Sequence, residues 1–131
     1  MKPLSAWLFI AATILFTVYG QIILKWQMSK VDTTLVSSGL YGKVVFFGGM
    51  LLKPWVISAY LAAFLASAAW MMAILRLPLS TAYPFMALNF VLVILAGYLW
   101  FGEQLRPGQM LGAALIVLGV ALMGRGASEI T

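Results

Sequence analysis

The sequence contains no cysteine and no histidine among its 131 residues. Disulfides and thiol nucleophiles are therefore excluded, as are the common zinc motifs. Acidic residues are scarce as well, since only Asp32, Glu103 and Glu129 carry a carboxylate side chain. No two of these residues are placed to act together as acid and base. The sequence thus predicts no catalytic residues, no metal site and no cofactor, and it argues against an enzyme.

Charged residues make up only 8% of the chain, whereas 64% of it is hydrophobic and the mean hydropathy is +1.06. Soluble domains usually carry roughly 25% charged residues. The composition therefore predicts an integral membrane protein, and its long uncharged runs favour bundled helices over a β-barrel. The net charge is +5, but the basic residues lie near the ends of the runs. We interpret them as contacts to membrane lipids and as topology signals, not as a nucleic-acid surface.

Four apolar runs predict four transmembrane helices, over about residues 4–24, 56–75, 79–101 and 108–124. The third run reaches roughly 34 Å as a helix, enough to cross a hydrocarbon core of about 30 Å. A fifth run, Val44 to Leu52, is too short to span and is flanked by lysines, which predicts a short interfacial or re-entrant segment in the first loop. A disordered loop is the alternative. We expect an all-α membrane fold with residues 1–131 in a single four-helix domain.

Two features of the ends of the chain leave alternatives open. Lys2 followed by an apolar run also fits a secretory signal peptide, although the run is long for one. With four spans both termini share a side, and the charges then give no firm orientation. The basic residues divide into Lys2, Arg76 and Arg125 on one side and Lys25, Lys30, Lys43, Lys53 and Arg106 on the other. This near balance is compatible with insertion both ways round, or with an oppositely oriented partner.

Polar residues recur every four positions along the first span, at Thr13, Thr17, Gln21 and Lys25. At this spacing the side chains drift by only about 40° per step, so they form one polar stripe. In lipid such a stripe should face protein or a water-filled cavity, which makes these residues candidates for substrate binding. The alternative is that the threonine hydroxyls bond to carbonyls of their own helix and that Lys25 extends to the headgroups.

The second span has a face of small residues that permits close helix packing. This face consists of Ser58, Ala62, Ala66, Ala69 and Ala73. Tyr60, Phe64 and Met71 lie off the face, where they could contact lipid tails or an apolar substrate, although core packing is the commoner role.

The third span contains Tyr83-Pro84 near its start and Asn89 near its middle. Proline leaves a carbonyl without its helical partner, which bends a helix or offers an acceptor to a ligand. Asn89 in lipid needs a hydrogen-bond partner and either joins two helices or contacts a ligand. We include Tyr83, Asn89 and the cation Arg76, which follows the second span, among the candidate substrate-binding residues.

The last hairpin combines a charged turn with a seam of small residues. Glu103 lies in the turn, where it caps the helix, pairs with Arg106 or, as the only carboxylate close to a span boundary, carries a coupling proton. Gly112 and Gly119 are seven residues apart and so share one helix face. We predict that they form a dimer seam against another helix.

Several motifs resemble the small multidrug resistance branch of the drug/metabolite transporter superfamily. They are Gly20-Gln21 followed by Lys25, Pro78 before Thr81-Ala82-Tyr83-Pro84, Leu88-Asn89-Phe90-Val91, Gly112 with Leu115-Ile116 and Gly119-Val120, and Phe101-Gly102-Glu103 with Leu105 and Pro107. Within the superfamily the chain most resembles the small subunits of the flippase for aminoarabinose linked to undecaprenyl phosphate. The resemblance is weak across residues 30–54.

Two positions separate the drug exporters from the flippase subunits, and Thr17 separates them best. By the resemblance, a drug exporter would carry a proton-exchanging glutamate where this chain has Thr17, and a tryptophan where it has Met86. The resemblance to the flippase subunits instead implies transport of a polyprenyl (undecaprenyl) phosphate-linked glycolipid by alternating access in the bacterial inner membrane. We also predict an antiparallel homodimer, or a heterodimer with a related small subunit, because an inverted pair would bring Lys25 of one protomer to the same face as Arg76 of the other.

Two other functions stay open from the sequence. One is a small-solute or drug exporter of the same fold, and the other is a membrane subunit that only scaffolds a partner. No nucleotide-binding loop of the type Gly-x-x-x-x-Gly-Lys is present. A transporter of this sequence would therefore depend on an ion gradient, the membrane potential or the substrate gradient.

Overall fold

The computed structural model describes residues 3–32, 34 and 39–130, which form six α-helices. These are α1 (Pro3–Ser29), α2 (Leu40–Leu51), α3 (Pro54–Ile74), α4 (Leu79–Met86), α5 (Leu88–Phe101) and α6 (Pro107–Ile130). Four segments of the described chain are long and apolar enough to cross a membrane: Leu4–Ser29, Pro54–Ile74, Leu79–Phe101 and Pro107–Gly126. The predicted all-α membrane fold, with a short helix in the first loop, is confirmed. Lys2 lies outside the described residues.

The first helix is longer than predicted, because α1 continues through Lys25 to Ser29. Its last turn packs on the start of α3, where the rings of Trp26 and Trp55 meet edge to face at 5.4 Å. The Lys30 ammonium lies 3.6 Å from the centre of the Trp26 ring, a cation–π contact. Tryptophan and lysine together are typical of a membrane–water interface, which places this end of the bundle there.

Helices α1 and α3 are antiparallel and form the closest helix pair of the fold. The buried face of α3 consists of one valine and five alanines: Val56, Ala59, Ala62, Ala66, Ala69 and Ala73. A Cβ atom on Gly20 of α1 would lie 3.3 Å from the carbonyl oxygen of Ala59, so the two backbones nearly touch. The predicted small-residue face is present, but Ser58 is not in it. Its hydroxyl donates to the Trp55 carbonyl and lies 3.2 Å from the Tyr19 hydroxyl.

The end of the bundle opposite Lys25 is tightly packed, and we call it the closed end. Ile10 and Ile14 of α1 pack here with Ala73 of α3 and Ala82 of α4. The rings of Trp7 and Phe85 add an edge-to-face contact at 4.7 Å. Buried aliphatic and aromatic groups of this kind fix the relative positions of three helices.

The third span is interrupted at Ala87, which separates α4 from α5. Pro84 has no N–H to donate, and the backbone around it tightens. The N–H of Ala87 donates to the Pro84 carbonyl, and the N–H of Phe90 donates to the Ala87 carbonyl, both across three residues. The prediction that Pro84 would disturb the helix agrees with this break.

The two loops at the Lys25 end differ in character. The first contains α2, in which Met50 is buried while Tyr41 and Phe47 are exposed; its position at a membrane surface stays a prediction. The loop between α5 and α6 turns at Gly102, the one described residue with a left-handed backbone, at φ 65°. Glycine adopts this conformation without steric cost, and the turn ends α5.

Candidate functional site

A groove of about 1130 Å³ lies between α1, α3 and the α4–α5 span. It brings together five of the seven residues predicted to bind substrate: Thr13, Thr17, Gln21, Tyr83 and Asn89. Its apolar wall includes Phe16, Leu24, Tyr60, Trp70, Met71, Met86, Phe90 and Ile94. The groove is therefore a mostly apolar channel with a polar stripe along one side.

The two threonines of the stripe differ in their hydrogen bonds. Thr13 is buried, and its hydroxyl donates to the Phe9 carbonyl of the same helix at 2.8 Å. The alternative interpretation of the stripe, in which threonine hydroxyls bond to carbonyls of their own helix, is therefore correct for Thr13. Thr17 is half-buried and has no hydrogen bond to any described residue. Thr17 and the exposed Gln21 therefore offer more free hydrogen-bonding capacity to a ligand than Thr13 does.

Asn89 lies on the opposite wall, on the first turn of α5 after the break at Ala87. Its Oδ1 atom is buried and accepts no hydrogen bond from the described residues. Buried polar atoms are nearly always paired, so an orphaned acceptor in a groove is a candidate for ligand contact. The prediction that Asn89 joins two helices receives no support from the described contacts.

Lys25 borders a second cavity of about 190 Å³, which shares Gln21 and Val93 with the groove. The Lys25 ammonium lies 3.2 Å from Oε1 of Glu103, and both side chains are about half exposed. Glu103 was expected to cap the turn or to pair with Arg106. The structure instead folds it back onto α5, toward Lys25.

The backbone around Gly102 explains this direction. The N–H groups of Gly102 and Glu103 both donate to the carbonyl of Gly97, one turn earlier. Gly97 also leaves room for the carboxylate, because a Cβ atom there would lie 2.6 Å from Oε2 of Glu103. Two glycines thus allow Glu103 to reach the end of α1.

Arg76 lies at the closed end, opposite Lys25, because α1 and α3 are antiparallel. Its Nη1 atom is buried and makes no hydrogen bond within the described residues. Lys25 and Arg76 therefore do not meet within one protomer, as the topology predicted. Cations at both ends of one bundle are suited to contact an anion at either face.

The predicted dimer seam on α6 is unoccupied within the protomer. A Cβ atom on Gly112 or Gly119 would meet nothing within 4 Å among the described residues. The close contact of α6 with the bundle is instead at Gly124, where a Cβ would lie 3.1 Å from Cζ of Phe85. The face with Gly112 and Gly119 is thus free to pack on another helix.

In the described part of the chain, no three residues of the types His, Cys, Asp and Glu come close enough to hold a metal ion. The wall of the groove also carries candidate residues that the sequence pattern did not single out. Ser67 and Trp70 line it, and Trp70 stacks edge to face with Tyr83 at 5.9 Å. A signal for both residues was available, since they lie one turn apart on the α3 face that carries Tyr60 and Met71.

A family model for the EamA-like transporters matches residues 3–125, nearly the whole chain. The chain belongs to the EamA-like transporter family. This membership and the four membrane-length helices make it a multi-pass protein of the bacterial inner membrane with a transport function. No solved structure matches the chain significantly.

Curated relatives carry one shared name, "Probable 4-amino-4-deoxy-L-arabinose-phosphoundecaprenol flippase subunit ArnE". The protein of Aeromonas salmonicida is 39% identical over 74 residues, 56% of this chain and 65% of that protein. The protein of Pseudomonas aeruginosa strain LESB58 is 36% identical over 121 residues, which cover 88% and 94% of the two chains. The protein of Hamiltonella defensa is 31% identical over 129 residues, covering 94% and 99%. The resemblance found in the sequence is confirmed.

Proposed function

We propose that the chain is a flippase subunit that moves a polyprenyl (undecaprenyl) phosphate-linked sugar across the membrane. The observation that carries the proposal is the groove, whose polar stripe runs from the membrane interior toward Lys25. Neutral groups at Thr17, Gln21 and Asn89 suit sugar hydroxyls, and Lys25 suits a phosphate. The relatives named as flippase subunits support the same substrate class.

The shape of the groove fits a lipid substrate. Tyr60, Met71, Tyr83 and Phe90 line the groove and are exposed, so the groove is open along its side. In a membrane such an opening faces lipid or a partner subunit. The headgroup would move along the groove while the polyprenyl tail stays outside among the lipid tails, so that only the polar part must cross.

The alternative function is small-solute or drug export, which the lining of the groove disfavours. No aspartate or glutamate is among the described residues that line the groove. A membrane-embedded carboxylate is the usual partner of a cationic drug, and this groove offers only neutral groups and an adjacent lysine. Glu103 borders the smaller cavity and not the groove. Proton coupling through this carboxylate stays a proposal. We infer transport without covalent chemistry.

We propose that the transporter works as an antiparallel homodimer, or as a heterodimer with a related small subunit. In an inverted pair, Lys25 of one protomer lies at the same membrane face as Arg76 of its partner, so each face has both cations. The free seam at Gly112 and Gly119 gives α6 a face for this contact. Gly112→Val and Gly119→Val should lower energy transfer between labelled protomers in bilayers, and unchanged transfer would exclude this seam.

The direct test is headgroup translocation in proteoliposomes that contain a short-chain fluorescent polyprenyl-phosphate sugar. We expect the wild-type chain to accelerate translocation, and Lys25→Ala and Arg76→Ala to lose most of that acceleration. A matched substitution at Lys43, on α2 and outside both cavities, should keep it. If the pure chain is inactive even with an imposed pH gradient, co-reconstitution with a second small subunit separates a missing partner from the drug-export alternative.

A further inference from the structure

Glu103 occupies the place where a substrate phosphate would meet Lys25. Its Oε1 is 3.2 Å from the Lys25 ammonium, which is within the range of a charge-assisted contact. The contact borders the small cavity that continues from the groove past Gln21 and Val93. A carboxylate and a phosphate both offer anionic oxygens to a lysine. The small cavity beside the groove is therefore lined by a cation that already has an internal anion.

The position of Glu103 depends on two glycines. Gly102 takes the left-handed turn that directs the chain back over α5, and Gly97 lacks the Cβ atom that would collide with Oε2 of Glu103. Glu103 and Lys25 are both about half exposed, so their attraction is screened and the pair is weak. A pair of this kind exchanges readily with a competing anion.

We infer that Glu103 is an internal substitute for the substrate phosphate. Its carboxylate must release Lys25 before Lys25 binds the lipid-linked anion. This inference rests on the proposed function, since it assigns Lys25 to the phosphate. Glu103 then limits the strength of anion binding at Lys25. Its charge competes equally with every phosphate, so the phosphates of ordinary membrane lipids, which make no further contacts in the groove, bind Lys25 only weakly.

The test measures binding to the full chain in lipid nanodiscs, with a short-chain polyprenyl phosphate and the matching polyprenyl alcohol as probes. Glu103→Gln removes the competing charge, and we expect it to tighten phosphate binding about two- to fivefold and leave alcohol binding unchanged. Glu103→Asp retains the charge and should stay closer to wild type. In a Lys25→Gln background, Glu103→Gln should have no further effect.

Gly97→Ala provides a second route that changes no charge. The added Cβ displaces only the flexible end of Glu103, so the fold tolerates it while the ion pair is lost. We expect the same tightening for the phosphate probe as in Glu103→Gln. Gly48→Ala is the matched control, because a Cβ there meets nothing within 4 Å of the described residues. If the ion pair had only a structural role, breaking it would instead weaken the binding of both probes equally.

The outcomes separate the two levels of the argument. A wild-type chain that prefers the phosphate over the alcohol through Lys25, but does not respond to Glu103→Gln or Gly97→Ala, would overturn the exchange alone. A wild-type chain without phosphate preference would remove the phosphate role of Lys25 and the exchange with it. In a third outcome, inorganic phosphate displaces the polyprenyl phosphate probe with affinities that rank the variants in the same order. That result would support the exchange and would assign the site to free phosphate.

Discussion

At the scale of the residue, the groove is defined by which polar atoms are already paired. Thr13 uses its hydroxyl within α1, whereas Thr17 and the Oδ1 atom of Asn89 have no partner among the described residues. Unpaired groups lose no internal bond when a ligand arrives, so they contribute more to binding than paired ones. Thr17, Gln21 and Asn89 are thus the stronger candidates for headgroup contact.

Asn89→Leu should separate stability from transport. Leucine removes a buried acceptor without a partner, so the free energy of unfolding should rise by about 1 kcal/mol. Translocation of the lipid-linked sugar should fall about fivefold to tenfold, because a hydrogen bond to the headgroup is lost. Thermal unfolding in detergent and the proteoliposome assay measure the two effects. Gln104→Leu, an exposed amide in the α5–α6 turn, is the control; full transport by Asn89→Leu would contradict a substrate role.

The two threonines of the stripe should respond differently to valine. Thr17→Val removes a free hydroxyl from the groove, and we expect the translocation rate to fall about threefold or more. Thr13→Val removes a hydroxyl that donates within its own helix, and the fall should be less than about twofold. The rates are compared at equal protein density in the same vesicles. Equal loss in both variants would mean that the helical bond of Thr13 opens during transport.

At the scale of the element, the α1–α3 pair limits what the sequence tolerates. Gly20→Val should destabilise the protein by about 1–3 kcal/mol, because the Cβ atom of the new side chain would lie only 3.3 Å from the backbone carbonyl oxygen of Ala59. Gly48→Val adds the same atoms to α2, where a Cβ meets nothing within 4 Å of the described residues. The free energy of unfolding of Gly48→Val should stay within about 0.5 kcal/mol of the wild-type value. Comparable losses in both variants would disprove close packing of α1 on α3.

The elements of the fold were largely predictable, since long uncharged runs determine membrane helices almost by themselves. The polar stripe was predictable too, because residues at a spacing of four share a helix face. The Lys25–Glu103 pair was not, since its partners are far apart in the chain and meet through the turn at Gly102. The sequence also predicts an end of the first helix that is too early. The helix continues beyond the apolar run through Lys25 and through Trp26, whose ring contacts Trp55.

At the scale of the whole molecule, the proposed antiparallel homodimer predicts equal exposure of one site on both sides of the membrane. The chain has no cysteine, so Gln104→Cys in the exposed α5–α6 turn gives a unique label. In an antiparallel homodimer an impermeant thiol reagent should label about half of the copies from each side. In a heterodimer this chain should be labelled from one side only. Labelling from one side in the pure chain would exclude the antiparallel homodimer.

The lateral opening of the groove determines which concentration the protein responds to. Under the proposed function, a lipid-linked substrate that enters past Tyr60 and Phe90, which line the groove and are exposed, stays in the bilayer and arrives by diffusion in two dimensions. Half-saturation should therefore follow the mole fraction of substrate in the membrane and not its amount per volume of suspension. Diluting the vesicles would leave the rate per protein unchanged, whereas adding unlabelled phospholipid to the same vesicles would lower it.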